Sequence, residues 1–356
     1  MRIVSVVGAR PQFVKLAPIS HAFSDSGIDH AVIHTGQHYD PMLSDIFFEE
    51  LRIPAPDVHL GIGSGSHAHQ TGAMMEALDD VLPSLSPDWV LVYGDTNSTL
   101  AAALVAAKLH LRLAHLEAGL RSFDRAMPEE VNRVLTDHAA DLLLAPTTVA
   151  AAHLADEGLG PRTVVVGDVM TDVLLSVRDQ VVREGLPSPV GDELGLGRGT
   201  YSVATIHRAE NTDDPRRLAA ILDSLRALDH PVVVLAHPRL VARCAEFGLD
   251  LTGGALRPHP PVGYRELVAS VMHARGVVTD SGGLQKEAFL LRIPATTVRT
   301  STEWVETVDL GWNVLAEPGD DLVRAASRPR PPETSRAPYG DGHAASRVAE
   351  VLLSRG

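Results

Sequence analysis

Three acidic side chains are spaced so that they can take part in acid–base chemistry. Asp95 ends the apolar run DWVLVYGD, Glu117 ends the next run, LRLAHLEAG, and Glu129 begins the helical segment that follows. Ligands bind at the carboxyl ends of the strands in open parallel sheets, so we expect the three carboxylates to meet there. Crowded carboxylates raise each other's pKa, which makes one of them a usable acid or base near neutral pH. Taken singly, Asp95 is equally well explained as a helix cap and Glu117 as a partner of Arg121, but the three together favour an active site. Half of it lies within HLEAGLRSFDRAMPEEVNR (115–133).

A glycine turn at the start of the first predicted helix suits an anion such as a diphosphate. The opening strand runs into GARPQFVKLAPI (8–19), which carries Arg10 and Lys15 close to the turn. Backbone N–H groups at a helix N-terminus and nearby cations attract phosphate. A glycine turn alone is a weak signal, so this segment is a candidate that depends on its neighbours.

The segment DSGGLQKEA (280–288) carries the strongest such signal in the second half of the chain. A predicted strand ends in Ser-Gly-Gly and a helix begins, so bare N–H groups and a helix dipole are available to phosphate oxygens. Glu287, one to two turns into the helix, is placed to reach sugar hydroxyls. A tight Gly-Gly turn with a capping serine has the same sequence and stays an alternative.

Two histidine motifs follow predicted strands of the second half. IHRAEN (206–211) places His207 and Arg208 at the ligand-binding edge, and HPR places His237 at the end of the next strand. A lone histidine is more often a core or capping residue, and only the neighbouring motifs favour a functional role. The histidines of GSGSHAHQTG (63–72) lack a third ligand at metal spacing, so we expect them to be loop residues and expect no metal site.

The elements that must position these residues follow from the hydrophobic pattern. Short β-branched apolar runs alternate with Ala/Leu-rich stretches of helical period, which predicts α/β architecture with two Rossmann-like lobes, parallel sheets and a ligand cleft between them. The predicted strands are 2–8, 30–36, 88–95, 111–119, 140–146, 201–207, 230–237 and 275–283. The predicted helices in the first half are 14–26, 40–50, 69–82, 97–109, 129–138 and 147–157, and a last helix covers 344–355. The Gly/Pro-rich segment 184–199 is typical of a loop.

Composition and charge exclude several classes of protein. The 356 residues are 45% hydrophobic and carry a formal net charge of −14. Nucleic acid and anionic membranes need a basic face, so we expect neither as a partner. The single cysteine, Cys244, allows no intrachain disulfide and indicates a reducing compartment. With no signal-peptide pattern and no apolar run of membrane-spanning length, a cytoplasmic protein is expected.

Eight motifs, in order along nearly the whole chain, resemble those of the non-hydrolysing UDP-N-acetylglucosamine 2-epimerases. They are GARPQFVKLAPI, TGQHYD, VYGDTNSTLAAALVA, HLEAGLRS with MPEEVNR, IHRAEN, DSGGLQKEA, TEWVETVDLGWN and PYGDGHAASRV. The resemblance implies two lobes of the GT-B type, a UDP-sugar as substrate, no NAD or other cofactor, and a homodimer. It implies a catalytic N-terminal lobe over 1–167, a UDP-binding lobe over 168–340 and a terminal helix over 341–356 that packs back across the lobes.

The resemblance also implies the reaction. UDP-GlcNAc and UDP-ManNAc interconvert by anti elimination of UDP to a 2-acetamidoglucal, followed by re-addition with inversion at C2. The C2 proton is poorly acidic because its neighbour is an acetal, so one carboxylate must remove it, another must return it, and cations must hold the leaving diphosphate.

Motif positions assign roles within this reaction. Asp95, Glu117 and Glu129 are the implied acid–base set, and His207 assists the departure of UDP. The implied substrate-binding residues are Arg10, Lys15, Gln37, His38, Arg133, Arg208, His237, Ser281, Gly282, Gly283, Glu287 and Arg299, with Glu287 at the ribose. Arg121 and Arg133 are also expected to hold and tune Glu117 and Glu129.

Two departures from the family pattern narrow the expectation. Ala209 stands where sugar-activated bacterial members carry a second arginine, so activation by substrate at a second site is not expected. TEWVETVDLGWN is closer to the branch that handles modified sugars, including UDP-diacetamido-uronic acids. The expected substrate is therefore UDP-GlcNAc or a 3-substituted or C6-oxidised relative. The alternatives are a hydrolysing epimerase that releases ManNAc and UDP, a GT-B glycosyltransferase, and a nucleotide-sugar-binding regulator without catalysis.

Overall fold

The structure, a computed structural model, describes residues 1–37 and 55–356, except for the side chain of Arg10. The predicted helix over 40–50 and the predicted site residue His38 lie outside the described residues. The chain divides into two compact units, the first formed by Met1–Val173 with Ala337–Gly356 and the second by Leu174–Arg336.

The first unit is built on a parallel sheet of seven strands. These are β1 (Arg2–Val7), β2 (Asp29–His34), β3 (Val58–His59), β4 (Trp89–Tyr93), β5 (Leu113–Leu116), β6 (Leu142–Ala145) and β7 (Thr163–Val165). Their order is β3-β2-β1-β4-β5-β6-β7, and every neighbouring pair is parallel. The central strands are buried on both faces, which is why they are continuous apolar runs.

Helices cover both faces of this sheet. They are α1 (Arg10–Asp25), α2 (His67–Leu85), α3 (Asn97–Lys108), α4 (Pro128–Ala139), α5 (Thr148–Asp156) and α6 (Val169–Glu184), the last of which crosses the boundary between the units. Successive side chains of a strand point to opposite faces. Accordingly, Leu91 and Tyr93 of β4 pack in one apolar core with α1, while Val90 and Val92 pack in a second core with α2 and α3.

The second unit repeats this design with a six-stranded parallel sheet. Its strands are β8 (Ser202–Thr205), β9 (Val232–Leu235), β10 (Leu256–His259), β11 (Gly276–Thr279), β12 (Ala295–Thr297) and β13 (Asn313–Leu315), in the order β10-β9-β8-β11-β12-β13. Its helices are α7 (Pro189–Glu193), α8 (Ala209–Thr212), α9 (Pro215–Arg226), α10 (Pro238–Phe247), α11 (Tyr264–Met272), α12 (Gly282–Leu290), α13 (Val305–Asp309) and α14 (Asp320–Ala326). The prediction of an α/β fold with two Rossmann-like parallel-sheet lobes of the GT-B type is confirmed.

Some elements depart from the sequence-based expectation. The strands β3, β7, β10, β12 and β13 are not among the predicted ones, since they have two to four residues and weak apolar patterns. Pro258 lies inside β10, which is tolerated because β10 is an edge strand. The segment predicted as a loop over 184–199 contains the short helix α7, which Ser188 caps by accepting a hydrogen bond from Gly191 N.

The last helix, α15 (Ala344–Ser354), belongs to the first unit and packs on α1. It begins where the Asp172 carboxylate accepts hydrogen bonds from Ala344 N (3.0 Å) and Ala345 N (2.8 Å). A carboxylate in this position satisfies N–H groups that a helix start leaves free. Across the described parts of the chain, no helix is long and apolar enough for a membrane crossing.

Candidate active site

Asp95 and Glu117 leave neighbouring strands side by side. The register pairs Tyr93 of β4 with Leu116 of β5, and Gly94 N donates to Leu116 O at 3.0 Å. Both carboxylates therefore start from the carboxyl edge of the first sheet, as the sequence predicts for a parallel pair.

The Glu117 carboxylate is held by Lys15, which reaches it from α1. Both side chains are only 12% exposed. Burial lowers the pKa of Lys15, but the carboxylates of Glu117 and Asp95 outweigh that effect and hold the pKa above its usual value. Lys15 is therefore charged at neutral pH.

The backbone of Glu117 is strained. Its φ is +72°, a left-handed conformation that side chains other than glycine rarely adopt. Glu117 N and Ala118 N both donate to Leu144 O of β6, at 3.1 and 3.2 Å, which fixes this conformation. Such strain costs on the order of 1–3 kcal/mol and is concentrated at functional sites.

Gly94 leaves the space that the ion pair occupies. It has a φ of +62°, and a Cβ on it would lie 3.1 Å from Glu117 Oε2 and 3.3 Å from Lys15 Nζ. Any other residue at this position would be strained by the left-handed backbone conformation, and its Cβ would crowd both charged groups.

Asp95 is paired with Arg133 of α4. Arg133 Nη2 contacts Asp95 Oδ2, and its Nη1 donates to Glu130 Oε2 at 2.8 Å. Asn132, next to Arg133, donates from Nδ2 to the Asp95 carbonyl at 2.9 Å. The expectation that Arg133 holds Glu117 or Glu129 is wrong, because its guanidinium binds Asp95 and Glu130 instead.

Two further predicted residues lie in this unit. Gln37 Oε1 accepts hydrogen bonds from Ser98 N (3.1 Å) and Ser98 Oγ (2.7 Å) in the first turn of α3, the helix that follows Asp95. Glu129 lies in the first turn of α4 with an exposed side chain. Its place in the acid–base set stays a prediction.

Gln12 is a supporting residue that the sequence did not reveal. Its buried amide accepts from Gly8 N (2.8 Å) and Ala9 N (3.0 Å) and donates to Tyr93 O (2.9 Å). It thereby joins the end of β1 to the end of β4, directly before Gly94. Its position inside GARPQ was the only available signal.

Arg121 does not hold Glu117 or Glu129, so that expectation is wrong. Its guanidinium binds Glu157 through two hydrogen bonds of 2.7 and 2.8 Å and contacts Asp137 at 2.7 Å. Asp137 in turn binds the buried His115 ring, whose other nitrogen lies 2.7 Å from Gly94 O. Arg121 is thus part of the buried support beneath the strand ends.

In the second unit, Asp280 organises the start of α8. This fully buried carboxylate accepts hydrogen bonds from His207 N, Arg208 N and Asn211 Nδ2, at 2.9–3.1 Å, and lies 3.0 Å from His207 Nδ1. Burial raises the pKa of Asp280, but these donors outweigh it and hold the pKa below its usual value. The carboxylate is therefore ionised, which sets His207 Nδ1 as a donor and leaves Nε2 for a ligand.

His237 lies beside His207, with the ring centroids 5.5 Å apart. Its Nδ1 accepts from Arg239 N at 3.1 Å, so it caps α10. Burial and the neighbouring His207 lower the pKa of His237, which favours the neutral ring with its proton on Nε2. The structure thus supports the capping alternative and leaves one N–H available.

The N-terminus of α12 carries the predicted anion-binding residues. Ser281 caps the helix by accepting from Leu284 N at 3.4 Å. A Cβ on Gly282 would meet Glu303 Oε1 at 2.5 Å and Arg208 Nη2 at 3.8 Å, so both side chains reach this turn. Arg299 Nη1 binds Glu303 Oε2 at 3.0 Å.

The remaining predicted residues of this unit lie along the same helix. Gly283 is exposed in the first turn. Glu287 is buried one turn further on, and Tyr264 OH donates to its Oε1 at 3.0 Å. The ribose contact assigned to Glu287 stays a prediction.

The histidines of the 63–72 segment are not loop residues, because His67 and His69 lie in the first turn of α2. His67 Nδ1 lies 3.1 Å from Asn97 Nδ2, which explains one of them structurally. Within the described residues, no three His, Cys, Asp or Glu side chains are grouped so that they could hold a metal ion.

Comparisons with known proteins identify the family. The family model described as UDP-N-acetylglucosamine 2-epimerase matches residues 21–353. A UDP-N-acetylglucosamine 2-epimerase homolog of Methanococcus maripaludis is 44% identical over 357 residues, and the UDP-2,3-diacetamido-2,3-dideoxy-D-glucuronate 2-epimerase of Pseudomonas aeruginosa is 44% identical over 362 residues. Each alignment covers 99% of both chains.

A solved structure agrees with these relatives. The crystal structure of Methanocaldococcus jannaschii UDP-GlcNAc 2-epimerase in complex with UDP-GlcNAc and UDP matches with a TM-score of 0.85 and 39% sequence identity, covering 100% of both chains. The resemblance indicated by the eight motifs is confirmed, and the chain belongs to the UDP-N-acetylglucosamine 2-epimerase family.

Proposed function

We propose that this protein is a non-hydrolysing UDP-sugar 2-epimerase, an isomerase that inverts C2 of UDP-GlcNAc or of a 3- or 6-modified UDP-HexNAc. UDP is eliminated to give a 2-acetamidoglucal and is then added back, with the C2 proton returned to the opposite face. The proposal rests on family membership and on one observation above all, the two carboxylates at adjacent strand ends, each paired with a cation.

The carboxylates supply the proton transfers. A base is needed to remove the poorly acidic C2 proton, and Asp95 and Glu117 are two carboxylates held at the strand ends, each beside a cation. Glu129 completes the set by motif position. Lys15 and Arg133 place positive charge beside the carboxylates. By motif position, Arg10 is assigned to the diphosphate and the substrate.

The second unit supplies the leaving-group chemistry. His207, with Nδ1 directed to Asp280, presents Nε2 to the departing diphosphate and stabilises the negative charge that develops there. The N–H groups at the start of α12, with Arg208 and Arg299 beside them, suit the diphosphate. His237 and Glu287 complete the UDP contacts.

Two kinds of UDP-sugar are candidate substrates. One relative is named for UDP-GlcNAc and another for UDP-2,3-diacetamido-2,3-dideoxy-D-glucuronate, and both are 2-epimerases. We infer that the substrate is a UDP-HexNAc of one of these two kinds, with the TEWVETVDLGWN segment favouring the modified sugar.

A product assay tests the proposal. The purified protein is incubated separately with UDP-GlcNAc and UDP-2,3-diacetamido-glucuronate, and NMR follows the C2 epimer and free UDP. The C2-epimeric UDP-sugar should appear without accumulation of UDP. UDP and free sugar rising together would indicate a hydrolysing epimerase, a requirement for an acceptor would indicate a glycosyltransferase, and binding without turnover would indicate a regulator.

Two further expectations are part of the proposal. A homodimer is expected from the resemblance, and sedimentation velocity of the purified protein should give twice the chain mass. A cytoplasmic location is expected from the single cysteine and is tested by fractionating the cells that produce the protein.

A further inference from the structure

Glu130 is buried, unlike its exposed neighbour Glu129, and it is not part of the proposed acid–base set. Its side chain is 4% exposed, and it accepts four hydrogen bonds. Three come from the loop before α4, namely Ser122 N (2.9 Å), Ser122 Oγ (2.9 Å) and Phe123 N (3.0 Å). The fourth comes from Arg133 Nη1 at 2.8 Å.

The surroundings of Glu130 stabilise its ionised form. Burial raises the pKa of this carboxyl, but the Ser122 and Phe123 donors and the Arg133 guanidinium outweigh it and hold the pKa below its usual value. Glu130 is therefore a charged group with its acceptor positions in use, and it is not available to exchange protons with a substrate.

Arg133 transmits the position of Glu130 to Asp95. The two ends of its guanidinium fork bind the two carboxylates, and the Arg133 side chain is only 11% exposed. A planar fork held at one end presents its other end in a fixed direction. Without Glu130, Arg133 keeps one partner and can turn about its own side chain, and Asp95, which is 32% exposed, turns with it.

The same carboxylate fixes a strained loop. Phe123 has a φ of +59° and a 74% exposed ring, so neither intrinsic preference nor burial explains its conformation. The hydrogen bond from Phe123 N to Glu130 Oε1 and the edge contact of its ring with His153, 5.3 Å between centroids, hold it. One buried charge thus anchors both the loop and the Arg133–Asp95 pair.

We propose that Glu130 is a positioning residue for the epimerisation, orienting Asp95 through Arg133 and holding the loop at Ser122 and Phe123. The proposal rests on the proposed function. It assigns Glu130 no contact with the substrate, so its loss should lower kcat while leaving UDP affinity nearly unchanged.

The test uses Glu130→Gln with a matched control, Asp172→Asn. Both changes remove the charge of a carboxylate that accepts two backbone N–H groups in the first unit. The two groups that bind Asp172 lie at the start of α15, away from the predicted acid–base set. Glu130→Gln should lower kcat about 10- to 100-fold, in the range of a lost orienting contact, with the Kd for UDP within threefold. Asp172→Asn should leave kcat per UDP-binding site within twofold of the wild type.

A double-mutant cycle separates positioning from a general loss of structure. If Glu130 acts through Arg133, then adding Glu130→Gln to Arg133→Met should lower kcat by less than threefold beyond Arg133→Met alone. The proposal would be overturned if the kcat losses of the two single variants multiply in the double variant, or if kcat is unchanged in Glu130→Gln. If Glu130→Gln does not fold, Ser122→Ala removes one donor and keeps the charge, and an unchanged kcat in that variant would overturn it instead.

The wild type distinguishes this proposal from the proposed function. An active wild type with a fully active Glu130→Gln overturns the role of Glu130 alone. A wild type that epimerises no UDP-HexNAc overturns the proposed function, and the role of Glu130 with it.

Discussion

The Lys15 ammonium and the Glu117 carboxylate form a nearly buried ion pair at the carboxyl edge of the first sheet, with Glu117 held in a left-handed backbone conformation. Each group alone would be unfavourable in this position. Breaking a buried pair by removing one partner leaves an uncompensated charge. The ion pair therefore gives each charge a partner at a position where both side chains are only 12% exposed.

Replacing Lys15 should disable the enzyme more than it unfolds it. Lys15→Met leaves Glu117 without its cation, and we expect kcat/KM for epimerisation to fall by about 100-fold or more, as when an electrostatic contact of an active site is lost. Lys108→Met, at the exposed end of α3, is the control and should match the wild type. A Lys15→Met enzyme within threefold of wild-type kcat/KM would contradict this role.

Gly94→Ala should abolish activity for a steric reason. The new methyl group would lie 3.1 Å from Glu117 Oε2 and 3.3 Å from Lys15 Nζ and would push the pair aside, and the left-handed backbone costs about 1–2 kcal/mol. Gly158→Ala is the control, because Gly158 has a φ of +79° with no atom within 4 Å of an added Cβ.

Both glycine variants should lose similar free energy of unfolding in urea, while only Gly94→Ala loses kcat. Equal activity in the two variants would show that the space beside the ion pair has no catalytic importance.

His207→Gln should lower kcat. The change removes the imidazole that Asp280 orients, and the loss expected for such a group is about 10²- to 10⁴-fold in kcat. His230→Gln is a matched control, since His230 also binds an aspartate, with Nδ1 2.7 Å from Asp229 Oδ1, but lies before β9. Calorimetry should give a Kd for UDP within threefold of wild type in His230→Gln and a weaker one in His207→Gln, because free UDP carries the charge that His207 contacts. A normal kcat in His207→Gln would remove His207 from the mechanism.

Stability should fall in mild acid because of His30. Burial lowers the pKa of His30 to about 4, more than Asp57 and Asp29 raise it, while the unfolded chain titrates near 6.5. Between these values the unfolded state binds the extra proton, so this contribution is present above about pH 6.5 and is lost as the pH falls toward 4, by about 2–3 kcal/mol in total.

Urea unfolding of His30→Gln between pH 4.5 and 8 measures this contribution. The variant should depend less steeply on pH than the wild type, whereas His69→Gln, at an exposed position of α2, should keep the wild-type slope. Identical slopes in wild type and His30→Gln would be the opposite result.

The strand ends of the site were predictable because parallel pairing brings consecutive strands to a common edge. Asp95 and Glu117 directly follow apolar runs, and that position alone placed them together. The two lobes were predictable because short apolar strand patterns alternate with helical patterns in both halves of the chain. The strands β12 and β13 were not predictable, since three-residue strands leave almost no periodicity.

The partners of the site residues could not be predicted from the sequence. Glu129 and Glu130 are adjacent and chemically alike. Because consecutive residues of a helix point in different directions, the Glu130 side chain is buried and the Glu129 side chain is exposed. The pairing of Lys15 with Glu117 and of Arg121 with Glu157 depends on where α1 and α5 lie over the sheet. Such contacts are set by tertiary packing, which one sequence does not encode in any local pattern.

Isotope exchange at C2 tests the central claim most directly. The wild type is incubated with each UDP-HexNAc in deuterated water, beside Glu117→Gln, and the sugar C2 position is followed by NMR and mass spectrometry. We expect deuterium at C2 of both epimers with the wild type and none with Glu117→Gln. A C2 epimer that forms without deuterium, or no exchange with any UDP-HexNAc, would contradict elimination and re-addition at this site.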